Sequence, residues 1–513
     1  MRNGAMGLRA VGLVGLLACG QWACSGDDNR PAPNGGSSGS TAGGVGVAGS
    51  AAAGSSSGGA PGGFGGGSGG GAGGGGLAGV GGLGSGGASP AYCGSALPPL
   101  RTLTKTKVSD RVFDYKLAGP PGAEHHNVLL LLFNASSKNA TTPDAVGYHE
   151  FYTPEQLGDV YFNDPNGVAA FLNEASYGKV SLAGRVVGWI DQPASAPPAA
   201  QDFQTNRDAY INQAAAFATF NDYDVIYIVG LTDGNDQLQI GWGLQNSAMT
   251  TQGRWEGGID WMINSTFFTE AGQPYPYSTI LPSRSWAHEL HHTLGISGHD
   301  ISLDCGTNTL DAACAFNPYG NVFSLMGESA VGNHSTIGMK QSLGWLKQGQ
   351  LQQLTASATV TICPTETIDD KPKGLEIPLK TPITITSTTV DMPAVFNRIF
   401  VEYRTPVGFD HYLERLSDPT WQHRFLQAPR DIRKDGVVVS LGYSSTDTNS
   451  SILLDMHPTV TDFTQDGIVT AGNVGKFLDA MLLVGETFEV PGQSIKITPI
   501  AVEGGGIKVD VIY

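Results

Sequence analysis

The chain is poor in basic residues, in long hydrophobic runs and in closely spaced cysteines. Lys and Arg total 29 against 46 Asp and Glu, for a formal net charge of -17. With no basic stripe to neutralise phosphates, a nucleic-acid partner is excluded. None of the six cysteines forms a C-x-x-C pair, which argues against a cysteine-ligated zinc site. No repeat of fixed period indicates a fibre.

The N-terminal residues predict export. Two arginines lead into an apolar run, residues 10–18, that is too short to span a bilayer as a permanent helix. The run ends Leu16-Leu17-Ala18-Cys19, which looks like a bacterial lipobox. This predicts a signal peptide over residues 1–18 with lipid on Cys19; an ordinary signal peptide cut elsewhere is the alternative. We therefore expect a bacterial cell-envelope protein held to a membrane by its lipid, or a secreted one.

A tether and a mixed α/β region follow. Residues 19–91 are predicted to be a flexible tether, because from about Ser25 to Ser89 the chain is nearly all Gly, Ser and Ala, which bury too little apolar area to offset the ordering entropy. Over residues 92–348, strand-like runs at Val128–Phe133 and Val180–Ile190 alternate with helices. Thr153 is the predicted cap of one of these helices, and Tyr177-Gly178 is predicted to end another. An irregular stretch rich in Gly, Asn and Gln leads to a last long helix at Ser285–Leu294.

The character changes over residues 349–513, where short strand candidates follow one another at turn-punctuated spacing. They lie at Val360–Ile362, Ile383–Ile385, Ile399–Tyr403, Val437–Leu441, Ile452–Met456, Phe488–Val490, Ile495–Ile497 and Ile507–Ile512. Such spacing is typical of a β-sandwich. The whole folded region is therefore predicted to be α+β, with a boundary near Gln348–Gln350.

Cysteine spacing permits two disulfides, because export places the chain in an oxidising compartment. Cys305 and Cys314 bracket a short loop and make a local pair. Cys93 and Cys363 could tie the start of the folded region to its later part. Connectivity does not follow from sequence alone, so both pairings are expectations.

The string His288-Glu289-Leu290-His291-His292 carries the most chemistry. On a helix, His288 and His292 leave the same face and can hold one zinc ion. Glu289 lies beside them as a candidate base that accepts a proton from zinc-bound water. His291 faces another side, where packing or solvent exposure is expected.

A catalytic zinc site needs three protein ligands and an open position for water, whose pKa falls to about 7 on the metal. Gly295 permits a sharp turn after the helix. The chain could then swing back to offer His299, with Asp300 as the alternative third ligand. The string and its continuation therefore predict one zinc ion and a hydrolase.

These residues resemble the gametolysin group of zinc peptidases and the related immune inhibitor A metalloproteases. The resemblance covers roughly Val128–Tyr513. The segments that carry it are Ser176-Tyr177-Gly178-Lys179, the zinc string with Gly295, Tyr319–Gly327, Leu343-Gly344-Trp345-Leu346, Val401–Arg404, Leu454-Asp455-Met456 and Leu483–Phe488. Met326 is similar to the methionine of a metzincin Met-turn, which packs beneath the metal. His299 falls one residue later than the metzincin spacing, so the loop must absorb an extra residue.

The resemblance implies a metzincin-like zincin domain, a twisted sheet plus the motif helix, that hydrolyses peptide bonds of extracellular proteins. It also leaves His334 open as either an oxyanion-binding or a surface residue. Calcium is possible but not indicated, because the residues Asp462, Gln465–Gly467 and Asn473 do not match an EF-hand loop. A monomer is expected. The alternative is a non-catalytic surface adhesin on a degenerate peptidase scaffold.

Overall fold

A computed structural model describes the chain from residue 92 to residue 513 with internal gaps. The described residues are 92–133, 153–190, 200–230, 240–263, 280–327, 334–389, 394–411, 413, 435–444, 451–459 and 474–513. The predictions of a signal peptide, of lipid on Cys19, of a tether and of a polar turn at 462–473 all fall outside the described residues. No described helix is long and apolar enough to cross a membrane.

Sheet predominates over helix, in agreement with the predicted α+β class. The helices are α1 (Pro154–Phe162), α2 (Val168–Ala175), α3 (Ala200–Gln213), α4 (Ile280–Thr293) and α5 (Ile337–Ser342). The strands are β1 (Leu103–Ser109), β2 (Val112–Leu117), β3 (Glu124–Phe133), β4 (Val180–Ile190), β5 (Val225–Gly230), β6 (Ile240–Thr250), β7 (Gly253–Ile263), β8 (Ile301–Asp304), β9 (Ala313–Asn317), β10 (Leu351–Gln353), β11 (Ala358–Ile362), β12 (Gly374–Ser387), β13 (Ala394–Glu402), β14 (Gly436–Tyr443), β15 (Ser451–Leu453), β16 (Leu482–Leu483), β17 (Phe488–Glu489), β18 (Lys496–Glu503) and β19 (Gly506–Ile512).

The first sheet has seven strands in the order β1-β2-β4-β3-β5-β7-β6. Its four central strands are mutually parallel, whereas β1, β2 and β6 pair antiparallel with their neighbours. The apolar run in β3 serves both faces: Val128 and Leu130 join the core under α1, α2 and α4, and Leu129 joins the core under α3. Helices on both faces explain why the run is apolar throughout rather than alternating.

Local signals set the helix boundaries as predicted. Thr153 Oγ1 accepts the Gln156 N–H at 3.1 Å, and Gln156 Oε1 accepts the Thr153 N–H at 2.8 Å, which forms a capping box at the start of α1. After α2 the backbone turns left-handed at Tyr177 and Gly178, with φ of 56° and 78°. That conformation ends a helix.

The prediction of an irregular stretch before the motif helix was wrong, because part of that stretch forms the β6–β7 hairpin. Their glycines hide the strand pattern, and close contact with α4 requires them. A Cβ on Gly243 would lie 1.9 Å from the Glu289 carbonyl oxygen, and a Cβ on Gly258 would lie 2.1 Å from Thr293 Cγ2. The sequence did offer one signal for the hairpin, which is Gly253 followed by the apolar end of β7. In the structure Gly253 has a φ of 111° beside the turn.

Two further sheets hold the later residues. One has eight strands, ordered β10-β12-β13-β14-β15-β8-β9 with β16 beside β14; the other has four, ordered β11-β19-β18-β17. One buried apolar cluster draws residues from both sheets. Each of the eight strand candidates predicted after residue 348 overlaps one of these strands. The eight-stranded sheet also takes β8 and β9 from the chain before Gln348.

Both expected disulfides are present. Cys93 bonds to Cys363, which joins the first described residues to the end of β11. Cys305 bonds to Cys314 across the β8–β9 hairpin. Together they indicate an extracellular or other oxidising environment.

Candidate metal centre

Helix α4 carries the motif and packs against β6 and β7. Its inward residues Trp286, Ala287 and Leu290 are fully buried in the core beneath the sheet. This packing fixes the rotation of the helix, since a helix repeats every 3.6 residues. His288 and His292 consequently project together from the same side.

Three histidines converge beside this helix. One ring nitrogen from each of His288, His292 and His299 lies within 4.8 Å of the others. The Nε2 atoms of His292 and His299 are 3.1 Å apart. Two nitrogens bound to one tetrahedral zinc at its usual bond length lie about 3.3 Å apart. The three histidines can therefore hold a metal ion.

Hydrogen bonds select the metal-binding tautomer of both helical histidines. Nδ1 of His288 donates to the Leu325 carbonyl at 2.8 Å, and Nδ1 of His292 donates to the Ile296 carbonyl at 2.7 Å. Because a carbonyl oxygen only accepts, each Nδ1 carries the hydrogen and each Nε2 keeps its lone pair. These contacts also fix the two rings in place.

Burial keeps the three imidazoles neutral at neutral pH. Desolvation holds the pKa of His288 well below its usual value, with further lowering by His292 and His299. Desolvation likewise lowers the pKa of His292, and it lowers that of His299 to about 3. Neutral imidazole is the form that binds a metal, so protons compete weakly for this site.

The loop after α4 delivers His299, as predicted. Gly295 has a φ of 112°, and the Ile296 N–H bonds back to the His291 carbonyl at 3.0 Å, which turns the chain sharply off the helix end. Ile296 is buried against Met326 and Met339. Met326 therefore packs against the loop that carries the third histidine.

Asp300, the alternative third ligand, makes other contacts. Its buried carboxylate accepts Ser324 Oγ at 2.6 Å and the Ser451 N–H at 2.7 Å, and its N–H donates to the Met326 carbonyl at 2.9 Å. Burial raises the pKa of Asp300 to about 7. Asp300 thus joins the histidine loop to the Met326 segment and to β15. No local sequence signal predicts this, because Ser451 is 151 residues away.

Glu289 lies on α4 between His288 and the inward-facing Leu290, and only 2% of it is exposed. Its carbonyl faces Gly243 of β6. His291, the motif histidine outside the three-histidine group, is buried among other contacts: Nδ1 donates to the Ala287 carbonyl and Nε2 accepts from Ser335 Oγ, both at 2.8 Å. Of the two roles expected for His291, packing is confirmed and solvent exposure is not.

His334 is fully buried, so the surface location considered for it is wrong. Its Nε2 lies 3.5 Å from Glu174 Oε1, and its ring packs beside Phe171. Glu174, whose pKa burial raises to about 7, in turn accepts the Phe409 N–H at 2.7 Å. His334 thus belongs to a buried polar cluster that joins α2 to the chain after β13.

Arg404 is the centre of that cluster, which sequence reasoning missed. Its guanidinium donates to Asp410 Oδ1 at 2.7 Å and to the Phe323 carbonyl at 2.8 Å, and it lies 3.2 Å from Glu366 Oε1. Lys340 Nζ reaches the Thr365 carbonyl at 2.8 Å. These contacts connect the segment before Met326 to residues beyond the predicted boundary.

Three neutral imidazoles can thus hold a metal ion, and the buried Glu289 lies next to one of them in the chain. A scan against protein-family models and a search of curated proteins found no match for this chain. The resemblance to the gametolysin group therefore stays a prediction that its residues carry.

Proposed function

We propose that this chain is a zinc-dependent endopeptidase. The proposal rests on the convergence of His288, His292 and His299. In His288 and His292, Nδ1 donates to a backbone carbonyl, which leaves Nε2 for the metal. Zinc held there would lower the pKa of its water to about 7 and polarise a substrate carbonyl. Glu289, next to His288 in the motif, is the base that accepts the proton and passes it to the leaving amine.

The edge strand β6 supports a peptide as the substrate. It pairs antiparallel with β7 on one side and, within the described residues, with no strand on the other. Gly243 in β6 lies directly against the Glu289 carbonyl. An extended peptide that added to the open edge would run past the motif helix, with its backbone bonded to β6. A sugar or a lipid has no peptide backbone that could form these strand-to-strand hydrogen bonds.

Finer points of architecture belong to the same proposal. A metzincin-like zincin fold is supported by the parallel sheet, by its antiparallel edge strand beside α4 and by Met326 packed against the histidine loop. A C-terminal β-sandwich is supported by the core that the two later sheets share. Lipid at Cys19 would hold the enzyme at the bacterial cell envelope, where proteins and peptides outside the cytoplasm are its substrates.

The test uses the full chain, purified in detergent. We expect one zinc per chain by elemental analysis and cleavage of casein that a chelator abolishes. Glu289→Gln should keep its zinc and lose about 10²- to 10⁴-fold in rate, the usual contribution of a general base. His292→Ala should lose the zinc, whereas the matched control His291→Gln should keep it.

Two results would refute the proposal. A preparation that carries no zinc and gains none on addition would remove the metal centre. A zinc-loaded chain that cleaves no peptide in a proteome-derived library would favour the adhesin alternative. The library also reports cleavage preference.

A further inference from the structure

Tyr319 lies against the metal centre. The centroid of its ring is 4.2 Å from that of His299 and 6.2 Å from that of His288. The His288 and His299 rings are themselves stacked, with centroids 5.2 Å apart. Tyr319 and His299 are both partly exposed.

The β8–β9 hairpin brings Tyr319 to His299. His299 precedes β8 by two residues and Tyr319 follows β9 by two, and Ser302 pairs with Asn317 across the hairpin. The two residues therefore meet at the open end of the hairpin, while the Cys305–Cys314 disulfide crosses the other end.

The backbone at Tyr319 is strained. Its φ is 58°, in the left-handed region, within a turn that the Gly320 N–H closes on the Asn317 carbonyl at 3.1 Å. Glycine or asparagine adopts this conformation at little cost, whereas a tyrosine does so at a cost in free energy. The next residue, Gly320, packs closely on β8, since a Cβ there would lie 2.0 Å from Ser302 Oγ. A strained backbone at a tyrosine that lies beside three convergent histidines points to a function for its side chain.

We propose that Tyr319 is a positioning residue whose ring fixes His299 as the third metal ligand. The proposal rests on the proposed zinc site. His288 and His292 are set by a packed helix and by bonds from Nδ1 to carbonyl oxygens. His299 stands on the loop after Gly295, and Tyr319 covers its ring. Holding that imidazole in place lowers the ordering cost of metal binding.

Two variants of the full chain separate the ring from the fold. Tyr319→Gly removes the ring and suits the left-handed backbone, whereas Tyr319→Phe keeps the ring. Zinc affinity is measured by competition with a chromophoric chelator, and the melting temperature is measured without metal. We expect Tyr319→Gly to bind zinc about 10-fold or more weakly, the scale at which supporting residues act. Its metal-free melting temperature should equal or exceed that of the wild type, and Tyr319→Phe should match the wild type in affinity.

The visible absorption of the cobalt-loaded protein gives a second readout, since its bands report ligand geometry. We expect the bands to be unchanged in Tyr319→Phe and displaced in Tyr319→Gly. Wild-type affinity in Tyr319→Gly would overturn the proposal, as would an equal loss in both variants or a lower metal-free melting temperature in Tyr319→Gly. If the wild type binds no zinc, the proposed function fails as well; if all three proteins bind equally, only the role of Tyr319 fails.

Discussion

Arg404 donates to the carbonyl of Phe323 at 2.8 Å, across 81 residues of sequence. This single contact joins the chain that follows β13 to the segment that leads into Met326. The carboxylates of Asp410 and Glu366 hold the guanidinium from other sides, and all three groups are fully buried. The later residues thus hold the segment that leads into Met326.

Replacing Arg404 should therefore destabilise the protein strongly. Arg404→Met leaves Asp410 and Glu366 buried without their cation, a change that typically costs about 3–5 kcal/mol. Arg398→Met is the matched control, because the Arg398 side chain is 26% exposed and lies 3.7 Å from Glu376. The control should cost about 1 kcal/mol or less from its ion pair. Urea unfolding followed by tryptophan fluorescence measures both, and equal losses would contradict the assignment.

Asp260 should make the stability fall as pH rises. Thr293 Oγ1 donates to Asp260 Oδ1 at 2.5 Å, and burial raises the pKa of this carboxyl from 3.8 to about 8. Between those values the folded state keeps a proton that the unfolded state has lost, so folding is favoured at the acid end. The unfolding free energy should drop by up to about 1.4 kcal/mol per pH unit from this group.

Asp260→Asn isolates this effect, because it cannot ionise and every other group is common to both proteins. Relative to the wild type, the variant should gain unfolding free energy steadily from pH 5 to pH 8. Urea denaturation at four pH values measures the difference. A difference that does not change with pH would show that Asp260 is ionised in the folded protein.

Metal removal should lower the melting temperature of the wild type only. Zinc at 100 times its dissociation constant stabilises a protein by about 2.7 kcal/mol, because it binds the folded state. His292→Ala loses a ligand, so its melting temperature should not respond to a chelator or to added zinc. Scanning calorimetry with and without chelator gives the comparison; a chelator response in the variant equal to that of the wild type would place the metal elsewhere.

Gly243→Ala should reduce activity by displacing β6 from α4. The new methyl would lie 1.9 Å from the Glu289 carbonyl oxygen and 2.6 Å from Asp260 Oδ1, distances that real contacts do not tolerate. Gly119→Ala is the control, since a Cβ there meets nothing within 4 Å. Casein cleavage and zinc content are compared for both. We expect the Gly243 variant to keep zinc and lose rate; unchanged cleavage would argue against β6 as the substrate edge.

Patterns that are local in sequence predicted much of the fold. The capping box at Thr153, the left-handed stop at Gly178 and the turn at Gly295 depend on residues within one helical turn, so a short window contains the whole signal. Strand β4 begins and ends at the predicted residues because its flanking turns are equally local. Strands β6 and β7 were not predicted, because their glycines are required by close contact with α4, which lies later in the chain.

In the three-histidine site, the sequence determined the two ligands that share a helix and left the third open. The spacing of His288 and His292 fixes their common face, because a helix has a constant repeat. Whether His299 or Asp300 completes the set depended on where the loop packs, and only the tertiary structure brings Asp300 to Ser451 and His299 to the helix. The contacts of Tyr319 and Arg404 were likewise decided by packing between segments far apart in the chain, for which no local pattern exists.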